Sequence, residues 1–243
     1  MNYKVTLVGI LFLILVSCGK ETDDGKLDLG QDYFPLIEEN FLEYRSDSIV
    51  VDDNGQKIDT LVSYLKEVIG EPFVDLEGDT TFKVYRYFKR NFEDAYKLSN
   101  VWIKQINADN AQSVENNLRF VKLAFPLTET QRWDGNIYIP EDQITEISGE
   151  PIEIYVGWKY KVKELDKPYS LENQNYNQTV LIEQANFETA ISLRESSERY
   201  ARGIGLIEKN MRIYDTQNSN AAIPWEERAE AGFSHTLKLI NHN

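Results

Sequence analysis

The side chains of this 243-residue sequence best suited to nucleophilic or general-base chemistry, apart from hydroxyls and carboxylates, are Cys18, His235 and His242. A Ser-His-Asp or Cys-His arrangement must recruit one of the two histidines. His242 is the penultimate residue, where chain ends fray. His235 shares one face of an alternating stretch with Phe233, Leu237 and Leu239, so a packed histidine with a satisfied hydrogen bond is expected there rather than a base. One cysteine and two histidines cannot make a zinc site of the usual Cys/His kind. No catalytic residue, cofactor site or metal site is therefore assigned. The 40 acidic residues contain many chance carboxylate pairs, so no single pair points to glycoside hydrolysis. Gly203-x-Gly205 lacks the third glycine and the strand-turn-helix context of a dinucleotide fingerprint and reads as a bulge or a close backbone approach. Asp52-Asp53-Asn54-Gly55 lacks the ligand spacing of a calcium loop and reads as a hairpin turn.

Cys18 has a clearer task. Lys4 supplies a positive n-region, and Val5 to Val16 is apolar or small except for Thr6. That is the length of a signal-peptide h-region and too short to cross a hydrocarbon core of about 30 Å. Leu15-Val16-Ser17-Cys18 then resembles the lipobox of bacterial lipoproteins. The resemblance implies cleavage between Ser17 and Cys18 and acylation of Cys18, which is the only cysteine. Several acyl chains make a stable anchor, since each buried CH₂ contributes about 0.8 kcal/mol. The expected organisation is a signal peptide over 1–17, an acylated acidic tether over 18–32 and a β-rich domain over 33–243. Lys20, Glu21, Asp23 and Asp24 are similar to the export signal of surface lipoproteins, and Gly19 stands where an inner-membrane retention signal has aspartate. The expected location is the outer membrane, on either the periplasmic leaflet or the cell surface.

Without Lys4 the mature chain carries 25 basic and 40 acidic residues, a net charge of −15 with neutral histidines. Phosphate backbones are repelled, which excludes nucleic acid as a partner. An anionic bilayer is repelled too, so attachment to the lipid bilayer falls to Cys18.

The elements that must position any site read as strands. They are placed at Phe41 to Val51, Lys57 to Ile69, Thr81 to Arg90, Val101 to Ile106, Leu118 to Phe125, Ile137 to Ile139, Ile152 to Lys163, Thr179 to Gln184, Ile204 to Tyr214 and Phe233 to Ile240. Ile152 to Lys163 has the cleanest period of two, with Ile152, Ile154, Val156, Trp158, Tyr160 and Val162 on one face. Brief helices are expected within Pro140 to Ile147, Ser196 to Gly203 and Pro224 to Gly232, and a long polar loop over Leu165 to Gln178. About ten strands without a helix-strand rhythm predict a mainly β fold, with a single antiparallel sheet curled into a barrel or half-barrel, or two packed sheets.

Tyr33-Phe34-Pro35-Leu36 with Asn40 and Tyr44, and Tyr200-Ala201-Arg202-Gly203-Ile204-Gly205-Leu206, resemble the opening and closing patterns of a broad set of uncharacterised bacterial lipoproteins. Glu39 and Leu42 depart from that pattern. The resemblance implies a β-rich domain, similar to the open half-barrels of lipoprotein carriers, and brings no catalytic residue. Trp102, Trp133 and Trp225 lie beside turns or strand ends and are candidate ligand-contact aromatics, whereas Trp158 is expected in the core. Three functions remain. The first is a non-enzymatic binding or accessory module with a protein or glycan partner. The second is a carrier of a hydrophobic molecule, which requires an apolar cavity of several hundred Å³. The third is a carboxylate-dependent hydrolase.

Overall fold

The computed structural model describes residues 27 to 243 except 53, 54 and 56. Cys18, the signal peptide and most of the tether lie outside the described residues, as do Asp53 and Asn54 of the first hairpin turn.

The fold is mainly β. After a 3-10 turn at Gln31–Tyr33 come β1 (Phe41–Asp52), β2 (Lys57–Val74), β3 (Thr80–Lys89), β4 (Lys97–Ile106), β5 (Asn110–Glu115), β6 (Leu118–Ala124) and β7 (Arg132–Trp133). There follow β8 (Ile144–Ile147), β9 (Glu150–Glu153), β10 (Tyr160–Leu171), β11 (Gln174–Glu188), β12 (Ser192–Ala201), β13 (Gly205–Asp215), helix α1 (Trp225–Arg228) and β14 (Ala231–His242). Twelve strands form one antiparallel sheet in the order β6-β5-β4-β3-β2-β1-β14-β13-β12-β11-β10-β7, and β8 pairs with β9. A sheet this wide must curl. It nearly closes into a barrel. The seam is stitched by residues 132–135: Trp133 and Arg132 pair with Tyr160 and Lys161 of β10, while the Val121 N–H of β6 donates to the Gly135 carbonyl at 2.8 Å.

Alternation sets the two faces. On β3, Val84 and Arg86 face the same way as Glu67 of β2 and Trp102 of β4, and Lys83, Tyr85, Tyr87 and Lys89 face outward. The inner face holds one main apolar cluster, which includes Leu123, Ile152, Trp158, Tyr160, Val180, Ile182, Tyr200 and Ile213. Outside the sheet, α1 lays Trp225 against Val51, Leu193 and Tyr214.

Several expected elements differ. Ile152 to Lys163 is not one strand. Gly157 takes φ +73° and the Trp158 indole N–H donates to the Ile154 carbonyl at 2.6 Å, so the chain bends between β9 and β10. The period of two holds on either side of the bend and breaks at it: Ile152, Ile154, Trp158, Tyr160 and Val162 reach the same core, joined there by Tyr155 rather than Val156. The expected loop over Leu165 to Gln178 is a hairpin of β10 and β11, whose three register shifts erase the alternation. Ser196 to Gly203 is not helical but belongs to β12 and the turn after it, a strand that turns Ser196 and Glu198 inward. Pro140 to Ile147 is a turn leading into β8, and Ile137 to Ile139 is a turn closed by Ile139 N–H on the Asn136 carbonyl at 2.7 Å.

Candidate functional site

The barrel interior is ionic as well as apolar. Lys122 of β6 lies 2.9 Å from Glu115 of β5 and 3.0 Å from Glu198 of β12, and Lys209 of β13 reaches Glu198 at 3.2 Å. Beside them Glu67 of β2 holds Arg86 at 3.1 Å and Lys104 at 2.7 Å. All seven side chains are mostly withdrawn from water. Burial opposes ionisation of Glu198. Lys122, Lys209 and the Tyr200 hydroxyl, which donates at 2.5 Å, overcome it and hold the carboxyl far below the usual range. Burial likewise opposes the charge on Lys122, but Glu115 and Glu198 push its ammonium well above the ordinary value. Glu67 and Glu115 are also lowered, against their burial, by the cations around them. A two-carboxylate hydrolase needs one acid that stays protonated near neutral pH. None of these three inward carboxylates has that property.

His235 shares a 3.0 Å hydrogen bond with Ser46 of β1. Burial, then Lys209 and Arg86, lower its pKa to about 4, so the ring is neutral at pH 7.

One mouth of the barrel is closed by the two sequence patterns that carried the lipoprotein resemblance. The Tyr33 hydroxyl donates to Asp166 at 2.7 Å, and Arg202 packs over the Tyr33 ring while binding Asp32 at 2.9 Å and Asp166 at 2.8 Å. The Gly203 N–H donates to the Asp32 carbonyl at 2.7 Å. Gly205, at φ +105°, lets Pro35 and Leu42 approach. Between the patterns lies a pocket of about 40 Å³, lined mostly by apolar side chains and reaching Glu67 and Lys104.

The outer face of β2, β3 and β4 is different. Tyr64, Tyr85, Tyr87, Leu98 and Val101 share it. Leu98 is 57% and Val101 50% exposed. At its end, Lys89 Nζ sits 4.6 Å from the Tyr96 ring and 4.7 Å from that of Phe92, itself 61% exposed.

The three singled-out tryptophans are dispersed. Trp133 donates to the Val121 carbonyl at 2.9 Å and braces the seam. Trp225 is buried and donates to Glu188 at 2.8 Å. Trp102 is half-buried, with the Arg86 guanidinium 3.5 Å from its ring. No sequence signal singled out Lys122, Glu198, Lys104 or Glu67, because isolated charges within strands look like solvated ones. Among the described residues, Asp75, Glu77 and Asp79 form the acidic group compact enough to share a cation. Asp75 Oδ1 already accepts the N–H groups of Glu77 and Asp79, which accounts for the turn.

No family model and no curated protein matches this chain. Among solved structures, a protein assigned as exported with a YmcC-like fold, from Bacteroides fragilis, is 10% identical over 86% of this chain and 98% of that one, with a TM-score of 0.39. A protein assigned as a lipoprotein, from Parabacteroides distasonis, is 11% identical over 87% and 98%, with a TM-score of 0.34. A domain from Vibrio parahaemolyticus, assigned as an outer membrane lipoprotein-sorting protein, is 12% identical over 88% of each chain, with a TM-score of 0.22. At these scores none of the three transfers a site or an activity. Among the described residues, no helix is long and apolar enough to cross a membrane.

Proposed function

We propose that this protein is a non-enzymatic binding module of the cell envelope, anchored to the outer membrane through acylated Cys18, which engages a protein partner through the outer face of β2 to β4. The observation that carries this reading is the row of half-buried Tyr64, Tyr85 and Tyr87 with exposed Leu98 and Val101, flanked by Arg45, Lys66 and Lys83 and by Glu43 and Glu71. Tyrosine-rich faces rimmed by both charge signs suit protein interfaces. A carrier needs an apolar cavity of several hundred Å³; the barrel mouth holds about 40 Å³ above an ion network, and the hollow of about 440 Å³ beside Ile49, Val51 and Met211 is lined as well by Asn210, Arg212, Glu226 and Thr236. A photoreactive residue placed at Leu98 or Val101 on intact cells tests the reading. One discrete adduct at both positions, absent from position 191 and lost on Tyr87→Ser, is expected. The same adducts at all three positions, or none, overturn it.

A further inference from the structure

The inward charges do not balance. Arg86, Lys104, Lys122 and Lys209 face Glu67, Glu115 and Glu198. Lys122 and Lys209 are matched by Glu115 and Glu198, so the surplus cation belongs to the Arg86–Glu67–Lys104 group. In a chain of strongly negative net charge, that surplus is set where water is scarce. Buried charges are ordinarily paired, and an unmatched one attracts a counter-ion. Arg86 spreads its charge over the Trp102 ring. Lys104 has its ammonium 5.7 Å from the Phe34 ring, at the wall of the mouth pocket.

The pocket sets the rest of the ligand. Its volume of about 40 Å³ admits only a small ligand. Beyond Lys104, Glu67, Asn40 and Asn243, it is walled by Phe34, Leu36, Leu42, Ile69 and Leu206 among others. An apolar wall disfavours a hydrated inorganic ion and suits a short alkyl group. We infer that the barrel mouth binds a short-chain monocarboxylate, with its carboxylate on Lys104 and its alkyl end between Phe34, Leu42 and Leu206. This site is separate from the outer face of β2 to β4, and its occupant would brace the strap of residues 33–42 against the Gly203–Leu206 turn.

Ligand-observed saturation-transfer NMR on the full chain with sodium propionate tests the inference. Expected is transfer to the propionate methyl group that chloride at the same concentration does not abolish and that methylammonium does not reproduce. Lys104→Met leaves Arg86 paired with Glu67, removes the surplus charge, and should weaken propionate binding tenfold or more. Leu42→Phe keeps every charge but fills the alkyl end, and should abolish the transfer even if Lys104→Met does not fold. Absence of transfer to the wild-type chain, unchanged transfer in either folded variant, displacement by chloride, or tighter binding of octanoate than of propionate each overturns the inference. The last outcome would instead mark a longer acyl chain as the ligand.

Discussion

Lys122 and Glu198 meet at 3.0 Å inside the barrel, although they are 76 residues apart and sit on the first and ninth strands in sheet order. Only a sheet curled back toward itself brings them together. The pair therefore reports the curvature directly, and breaking it tests the architecture.

Glu198→Gln should destabilise the protein by about 3–5 kcal/mol, because Lys122 and Lys209 then lose their shared carboxylate in a dry site. Replacing both partners, as Lys122→Met with Glu198→Leu, should recover much of that loss. Urea unfolding of the two variants checks this, and equal losses would mean that the pair is not the buried link described.

The same pair fixes a pH window. Glu198 is lowered in the fold, so its contribution is present above the unfolded carboxylate value near 4.5 and is lost as pH falls through the lower folded value. Lys122 is raised, so its contribution is complete below its unfolded value near 10.5 and is lost as pH rises through the higher folded value. Both contributions are complete between about pH 5.5 and 9.5. Melting temperatures across that range should show no loss from this pair, and Lys122→Met with Glu198→Leu should reduce the alkaline fall.

His235 adds a slope of its own. Its pKa drops from 6.5 to about 4 on folding, so between those values the unfolded chain binds a proton that the native one refuses. Stability should fall as pH is lowered from about 6.5 to 4, and His235→Asn should flatten that part of the curve. NMR titration of the two imidazoles would show His235 still neutral at pH 5.5.

Two glycines should respond in opposite degree. A Cβ on Gly232, at φ +121°, would collide with the Ile213 carbonyl oxygen of the neighbouring strand. Gly232→Ala should therefore fail to yield folded protein. Gly203, at φ +75°, has open space around it, so Gly203→Ala should cost only about 1 kcal/mol, the ordinary penalty of a left-handed alanine. Expression yield and thermal melting separate the two.

Arg202→Ala should free the strap at the barrel mouth. The loss removes contacts to Asp28, Asp32 and Asp166 and the cover over Tyr33. Faster hydrogen exchange at the Gly203 and Tyr33 amides, with the β12 amides unchanged, is the expected signature.

The mainly β fold and its antiparallel sheet were legible because the runs that form β1, β3, β6, β13 and β14 are rich in aromatic and branched residues and are divided by turn residues. The misreadings at β12 and β5 share one physical source. Period-two reasoning assumes apolar residues inside and polar ones outside, and β12 reverses that by burying Arg194, Ser196 and Glu198. β5, with Gln112 and Ser113 buried, escaped notice for the same reason. The ion network was equally hidden, since Lys122 and Glu198 gain meaning only when the ends of the sheet meet. By contrast, the patterns at Tyr33 to Asn40 and Tyr200 to Leu206 stood out in the sequence as a resemblance, and the fold brings them together at the barrel mouth.

The strap at that mouth also gives the molecule a polarity. Gln31 bonds to the Asn107 carbonyl just past the end of β4, whereas the exposed Phe92 lies in the turn that begins β4. Ten strand residues at about 3.3 Å each separate the two ends by roughly 30 Å. Under the proposed anchoring at Cys18, the aromatic hairpin is the end of the molecule farther from the bilayer.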